Sequence, residues 1–436
     1  MTSSAIEAVE RALARLGDDK WNAFLHVDAQ RARERARNAE GPLAGLVLSV
    51  KDNLALAGMP MTCGSLHLKD YVAPYDATVV ERLERAGAVI LGKTNMDEFA
   101  AGSSGENSAF GPTLNPADIT RVPGGSSSGA GASVASGVCD AALGSDTGGS
   151  IRCPASFCGV AALKPSYGLV SRYGLSDLAM SLESPAPAAR DVTTLARIMG
   201  AIAGPDARDA RTAGSGEIGT LHSQMAGTLR IGVPEEAFTG VADDVSRPVR
   251  SALAKLERHG ATLLPIHLPT IHDALAAYYV INYAEFASAM QRFDGTRYGT
   301  TAATPEDARA TFGDEVKRRI LLGTFVTSRE ERGRWYDAAL RVQAAVAADL
   351  ARAFGACDIL AMPTMPVRAF KLGERIGDPR AMYAADVLTV PANLAGVPAG
   401  SVPLNVSGLP VGLQLLGPHG ADARVLSVMK LVEDLA

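Results

Sequence analysis

Apolar positions recur with a helical period over residues 4–16, at Ile6, Val9, Leu13 and Leu16, and a charged helix follows over 28–38. The stretch GPLAGLVLSVKDN, 41–53, opens with turn chemistry and then runs apolar from Leu46 to Val50. That is the pattern of a buried strand, with Lys51 at its end. Residues 77–86 return to the helical period and lead into a short apolar strand, Ala88–Leu91, a helix-to-strand unit of an α/β protein. Further on, strands are predicted at 227–234, 261–269 and 357–366, helices at 243–259, 271–291 and 328–354, and a glycine-bounded hairpin at 399–418. Residues 205–225 have weak periodicity and read as an excursion, and no solenoid-type repeat is present.

One region resists the pattern. Of the 17 residues from Arg121 to Gly137, 10 are glycine or serine, a composition usual for a flexible linker. Val134, Val138, Leu143 and Val160 lie in or beyond it, so a loop-and-helix unit packed on a site is the expected reading.

With 436 residues the chain has a length prior of two or three domains. A hydrophobic content of 47%, with 20% charged residues, marks a globular enzyme. The net charge of −5 gives no general attraction to nucleic-acid backbones. The N-terminus lacks a basic start before an apolar segment and no run of membrane-spanning length occurs, so a cytoplasmic protein without membrane contact is expected. Cys63, Cys139, Cys153, Cys158 and Cys357 form no CxxC pair, and the seven histidines are scattered; buried free thiols are expected, and neither a metal site nor a disulfide framework.

Two motif matches fail on mechanism. GAVILGKT, 87–94, fits the phosphate-loop spacing, but a phosphate loop follows a strand and precedes a helix, whereas here a helix precedes and the middle residues are strand-like. GSSSG, 125–129, fits a nucleophile elbow at Ser127, but no strand leads into it past Pro123, and no histidine has an evident acidic orienter. Ser150, in DTGGS, then needs a base other than histidine. A buried lysine kept neutral can serve, which makes Lys51 the candidate; a pair of Lys51 with Asp52 is the equally open alternative. The hydroxyls of Ser126–Ser128 offer a proton relay. The small residues of DTGGS let the amides of Thr147, Gly148, Gly149 and Ser150 converge on an oxyanion.

SVKDN, PGGSSSG, GSDTGGSIRCPASFCG and LKPSYGLVSRYG, in this order, resemble the core of the amidase signature family, and the similarity runs from about residue 5 to the C-terminus. The resemblance implies an α/β fold with one large mixed, twisted sheet covered by helices on both faces. It also implies a single domain over 1–436, with the catalytic core at about 41–200 and substrate-side helices and late strands at about 226–436. It further implies a Ser-cis-Ser-Lys triad of Ser150, Ser126 and Lys51, an oxyanion hole at Thr147, Gly148 and Gly149, and Asp146 and Arg152 as supporting groups. GKTNMDEFAAGSSGENSAFGPTLNP, GDEVKRRILLGTF and MYAADVLTVPANLAGVPAGSVP are most similar to the family branch of glutaminase subunits in tRNA-dependent amidotransferases. That branch implies recognition of L-glutamine by Arg319 at the α-carboxylate and Asp386 at the α-amino group, with Tyr278 or Tyr279 added. It implies a heterotrimer with subunits B and C, in which ammonia passes to the B component and aminoacyl-tRNA is reached only through that component. It implies no cofactor in this chain, ATP and magnesium acting in the partner. Two departures from the family pattern stand out: Ser128 occupies a usual glycine position, and SLESPAP, 181–187, stands for the commoner SLDxxGP.

Two other functions fit the same sequence. A stand-alone amidase for small or aryl amides, or an amide-forming tailoring enzyme, would have no use for Arg319 and Asp386. A non-catalytic scaffold would have no use for Lys51, Ser126 and Ser150.

Overall fold

The structure is a computed structural model that describes residues 2–17, 19–212 and 229–436. Eleven strands form one sheet: β1 Phe24–Val27, β2 Val47–Lys51, β3 Val89–Thr94, β4 Ala141–Asp146, β5 Ala161–Lys164, β6 Ser184–Ala189, β7 Arg230–Pro234, β8 Thr262–Ile266, β9 Ile359–Pro363, β10 Ala399–Pro403 and β11 Gly412–Leu416. Their order is β1-β3-β2-β4-β6-β5-β10-β11-β9-β7-β8. β2 runs parallel to β3 and β4, and β7 parallel to β8 and β9, while β4–β6, β6–β5, β5–β10, β10–β11 and β11–β9 are antiparallel, so the sheet is mixed.

Alternate residues of a strand point to opposite faces, and both faces here are apolar. Leu48, Val50, Ala141 and Leu143 pack with Leu83, Leu195, Ile198 and Leu426, which belong to the helices Thr78–Arg85, Val192–Ile202 and Asp422–Asp434. Ala142, Ala186 and Ala188 instead meet Ala130, Val134 and Ala155, from the helices Ser128–Ala135 and Arg152–Cys158. Over the later strands the covering helices are Asp273–Ala289 and Tyr336–Ala356. The sheet is thus covered by helices on both faces, as expected for the fold class.

The glycine- and serine-rich region is no linker. Ser128–Ala135 is a helix whose residues 128–134 are all buried. The phosphate-loop match falls in β3, where Lys93 is buried and gives its ammonium to Asp52 Oδ1 at 3.1 Å and to the Pro60 carbonyl at 3.3 Å.

Several boundaries differ from the sequence reading. β3 continues past Leu91 to Thr94, because Thr94 pairs with Lys51 of β2. The helix expected from 328 starts at Tyr336: an earlier helix, Asp314–Thr327, ends at Ser328, whose carbonyl accepts from the amides of Glu331 and Arg332 at 3.2 and 2.9 Å and turns the chain. Of the excursion at 205–225, residues 213 onward lie outside the described residues, as do the first two residues of the strand expected at 227–234. All five cysteines are buried free thiols. Among the described residues no helix is long and apolar enough to cross a membrane.

Candidate active site

β2 and β4 lie side by side and parallel, so their C-terminal ends deliver Lys51 and Asp146 to one edge of the sheet. Lys51 is wholly buried. Its Nζ stands 2.8 Å from Ser126 Oγ and 2.9 Å from Ser145 Oγ. Asn53 Nδ2 donates to the same Ser145 oxygen at 3.1 Å, so Ser145 is fixed and in turn fixes the amine. Asp52 takes no part, since its ion pair is with Lys93. Burial brings the Lys51 amine down to about 7, against the opposing charges of Asp97, Glu183 and Asp146. Near neutrality a large fraction of Lys51 is therefore free amine.

The peptide bond Gly125–Ser126 is cis. Gly125 packs against a buried carboxylate: a Cβ there would lie 2.0 Å from Asp97 Oδ2, so no larger residue fits. Asp97 accepts the amides of Gly105 and Asn107 at 2.9–3.1 Å, and burial raises its carboxyl to about 6 despite those donors. The next residue, Ser127, donates its amide to the Ser150 carbonyl at 3.0 Å, which ties the Ser126 segment to the Ser150 segment. The Ser127 hydroxyl is spent on the Ser145 carbonyl at 3.0 Å, as befits a structural serine rather than an elbow nucleophile.

Ser150 ends a turn that Asp146 organises. Asp146 Oδ1 accepts the Gly149 amide at 3.0 Å and Oδ2 accepts that of Ile151 at 3.3 Å. Of the expected oxyanion donors, Gly149 thus gives its N–H to Asp146. Among the described residues, no acceptor takes the amides of Thr147, Gly148 and Ser150. Gly148 lies under the ring of Tyr278, where a Cβ would come within 2.4 Å of the phenol, and its carbonyl accepts from Thr389 Oγ1 at 2.5 Å.

Asp146 and Arg152 form a fully buried two-bond pair at 2.9 and 3.0 Å, and the guanidinium also reaches the Thr389 carbonyl, Gln414 Oε1 and Asn393 Oδ1 at 2.6–2.9 Å. Burial pushes the Asp146 carboxyl up, but Arg152 and Asn393 outweigh it and hold it at about 2. Its stabilising charge is complete above the ordinary carboxylate range and is lost only as pH falls toward 2. Arg152→Ala would leave that carboxylate buried without its cation, an expected cost of about 3–5 kcal/mol. Urea unfolding at pH 7 reads it; a midpoint equal to the parent's would show that the pair does not hold the loop.

Arg319 and Asp386 meet the same aromatic cluster. Asp386 Oδ2 accepts from Tyr279 OH and Ser103 Oγ, both at 2.7 Å, and burial raises its carboxyl to about 6. The Arg319 guanidinium lies 5.6 Å from the Tyr279 ring centroid and 5.8 Å from that of Tyr383, whose rings stack at 4.1 Å. Arg319 Nε donates to Glu315 Oε1 at 2.8 Å and Nη1 to Asn282 Oδ1 at 3.0 Å. Among the described residues the buried Asn282 amide nitrogen has no partner and Arg319 Nη2 has no acceptor. Both expected tyrosines belong here, Tyr278 against Gly148 and Tyr279 on Asp386. A cavity of about 420 Å³ borders Glu315, Arg318 and Tyr383; Lys51, Ser126 and Ser150 do not line it.

Sequence reading missed Asp97, Ser145, Asn282 and Glu315. Glu315 was legible, four residues before Arg319 on one helix face. Asn282 was legible in the same way, three residues after Tyr279 on its helix, and Ser145 adjoins Asp146 in sequence, whereas Asp97 reaches the site through tertiary packing.

A buried lysine whose amine is brought down to about 7 lies on the Ser126 hydroxyl, and the Ser127 amide ties this segment to Ser150, whose loop keeps open amides, an arrangement suited to acyl transfer at an amide carbon. The chain belongs to the amidase family, whose model matches residues 7–426. Among its curated relatives, the A component of the glutamyl-tRNA(Gln) amidotransferase of Methanospirillum hungatei is 51% identical, over 94% of this chain and 96% of that protein. The crystal structure of the corresponding component from Thermotoga maritima superposes with a TM-score of 0.85 at 39% identity, covering 99% of this chain and 91% of that one. The peptide amidase of Stenotrophomonas maltophilia, at 29% identity, gives a TM-score of 0.85 over 99% of this chain and 93% of its own.

Proposed function

We propose that this chain is the glutaminase subunit of a tRNA-dependent amidotransferase. The observation that carries the substrate is the pair of unused donors, Arg319 Nη2 and Asn282 Nδ2, in a buried cluster that also presents the Asp386 carboxylate. A guanidinium edge with a spare amide suits an α-carboxylate, and a carboxylate suits an α-ammonium, so the pair asks for a free amino acid. The relatives named as components of the glutamyl-tRNA(Gln) amidotransferase favour glutamine over other amino-acid amides.

Ser150 Oγ attacks the side-chain amide carbon of L-glutamine while its proton moves to Ser126 Oγ, and the Ser126 proton moves to the free amine of Lys51. The amides of Thr147, Gly148 and Ser150 face the oxyanion. Collapse returns the proton through Ser126 to the leaving nitrogen, releasing ammonia and leaving a γ-glutamyl ester on Ser150. Water, deprotonated along the same route, then hydrolyses the ester to glutamate. Because Lys51 must start as free amine, activity rises with pH through about 7.

In this reading subunits B and C complete a cytoplasmic heterotrimer. Ammonia passes to the B component, which uses ATP and magnesium to activate the aminoacyl-tRNA, and this chain needs no cofactor. The choice between Glu-tRNA(Gln) and Asp-tRNA(Asn) then belongs to the partner.

Arg319→Ala tests the substrate. One lost charge-assisted contact of about 1.5–3 kcal/mol corresponds to roughly 10- to 150-fold in kcat/KM for glutamine. Propionamide hydrolysis should stay within about twofold of the parent; equal losses on both would refute a recognition role.

A further inference from the structure

Glu183 stands where the family pattern has aspartate, and it is fully buried. Its Oε2 accepts the Leu178 amide at 3.1 Å and the Thr147 hydroxyl at 3.3 Å, while Oε1 is buried with no partner among the described residues. Asp146 and Asp97, the carboxylates flanking Ser150 and the cis peptide, instead have both oxygens occupied, whereas Asp386 takes its two donors on Oδ2. A half-satisfied carboxylate in a dry site is costly as an anion and far cheaper as the neutral acid. Its one side-chain partner, Thr147, opens the loop that ends in Ser150.

Of the charged and titratable groups that face it, Arg172 favours the anion, but burial and Asp177 outweigh it. Asp177, from the segment leading into β6, repels it, although Arg292 also pairs with Asp177. Arg172 is nearby, but it spends Nε and Nη2 on Asp209 at 2.7–2.9 Å and Nη1 on Tyr167 OH and the Met180 carbonyl. Lys51, from β2, is lowered toward the free amine, and Tyr278, from the Asp273–Ala289 helix, is an un-ionised phenol. Asp146, at the end of β4 beside Thr147, is neutralised by Arg152. Burial first, and Asp177 second, raise the Glu183 carboxyl to about 8.

We propose that Glu183 is a positioning residue of this active site: as the neutral acid it holds the Thr147 hydroxyl and with it the oxyanion loop, and on ionising it sets a negative charge against the developing oxyanion and stops acyl transfer. The inference rests on Ser150 being the nucleophile. It adds an alkaline limb to the pH dependence, so activity is confined between a Lys51 limb near 7 and a Glu183 limb near 8. The two groups influence each other, and the limbs are properties of the coupled pair.

The test is the rate at which phenylmethanesulfonyl fluoride labels Ser150 in the full chain from pH 6 to 10, followed by intact mass and corrected for reagent hydrolysis. This readout needs the nucleophile and oxyanion loop but not glutamine recognition. The parent should lose about tenfold in rate per pH unit well above 8. Glu183→Gln, which keeps a neutral acceptor for Thr147 and Leu178, should match the parent within about threefold at pH 7.5 and show no alkaline limb. Glu183→Ala should be slower by roughly tenfold or more at pH 7.5, with Gln restoring what Ala loses. An alkaline limb unchanged in Glu183→Gln would overturn the role of Glu183 while leaving Ser150 in place. No labelling of Ser150 in the parent at any pH would overturn the nucleophile and this inference together. If the alanine variant does not fold, the glutamine variant against the parent decides alone.

Discussion

Replacing Ser150 by alanine is expected to lower glutamine hydrolysis about 10⁶-fold, the loss seen when a serine hydrolase is deprived of its nucleophile. The size follows from what remains. On the proposed mechanism the amides of Thr147, Gly148 and Ser150 would still face the amide oxygen and Arg319 and Asp386 would still hold the substrate, but no atom would form the covalent bond that splits one hard step into two easier ones. None of the neighbours substitutes: Ser127 Oγ is committed to the Ser145 carbonyl, and burial raises the thiol of Cys153 well above its ordinary range, which keeps it protonated and unreactive. The fold should not suffer, because the bond that anchors Ser150 uses its carbonyl, which alanine retains. Ammonia release by a variant with parental circular dichroism is the check; activity within tenfold of the parent would mean that Ser150 is not the nucleophile.

Lys51→Met is expected to cost about 10²–10⁴-fold in kcat, the usual contribution of a positioned general base. Methionine has nearly the length and volume of the lysine stem and brings no charge into a site that is wholly buried. Ser126 and Ser145 lose a shared partner but no buried ion is stranded, so stability should change little and the effect can be read as chemistry. The residual rate should lose the acid limb near 7, since the group that titrates there is gone. A variant that keeps both rate and limb would move the base to another residue, Asp97 being next, a buried carboxyl raised to about 6.

The parts of the fold legible in the sequence were those with strong periodicity. The long helices Asp243–Arg258 and Asp273–Ala289 and the β10–β11 hairpin lie close to where apolar spacing and glycine put them. β4, β5 and β6 were not legible, for a physical reason: AALGSD, AALK and SPAPAA are strands made largely of alanine, glycine, serine and proline, residues that lack strand propensity. They are strands because small side chains let the Ser128–Ala135 and Arg152–Cys158 helices press onto the sheet, which is a tertiary fact. At the site, the need of Ser150 for a non-histidine base led to Lys51. The partners of Lys51 Nζ, Ser126 and Ser145, stand 75 and 94 residues along the chain, too far for spacing alone to join them. At the departure Ser128, the hydroxyl is buried and pairs with Thr113 Oγ1 at 3.1 Å. The departure at Glu183 places a longer acid against Thr147.

The central claim, that this chain hydrolyses the side-chain amide of a free amino acid, is tested most directly by ammonia release from the folded full-length chain with L-glutamine, asparagine, propionamide and benzamide in parallel. Turnover of glutamine in clear preference to the other three, however slow, is the expected result. Rapid hydrolysis of propionamide and benzamide with glutamine untouched would contradict it, and would make the chain a free-standing amidase.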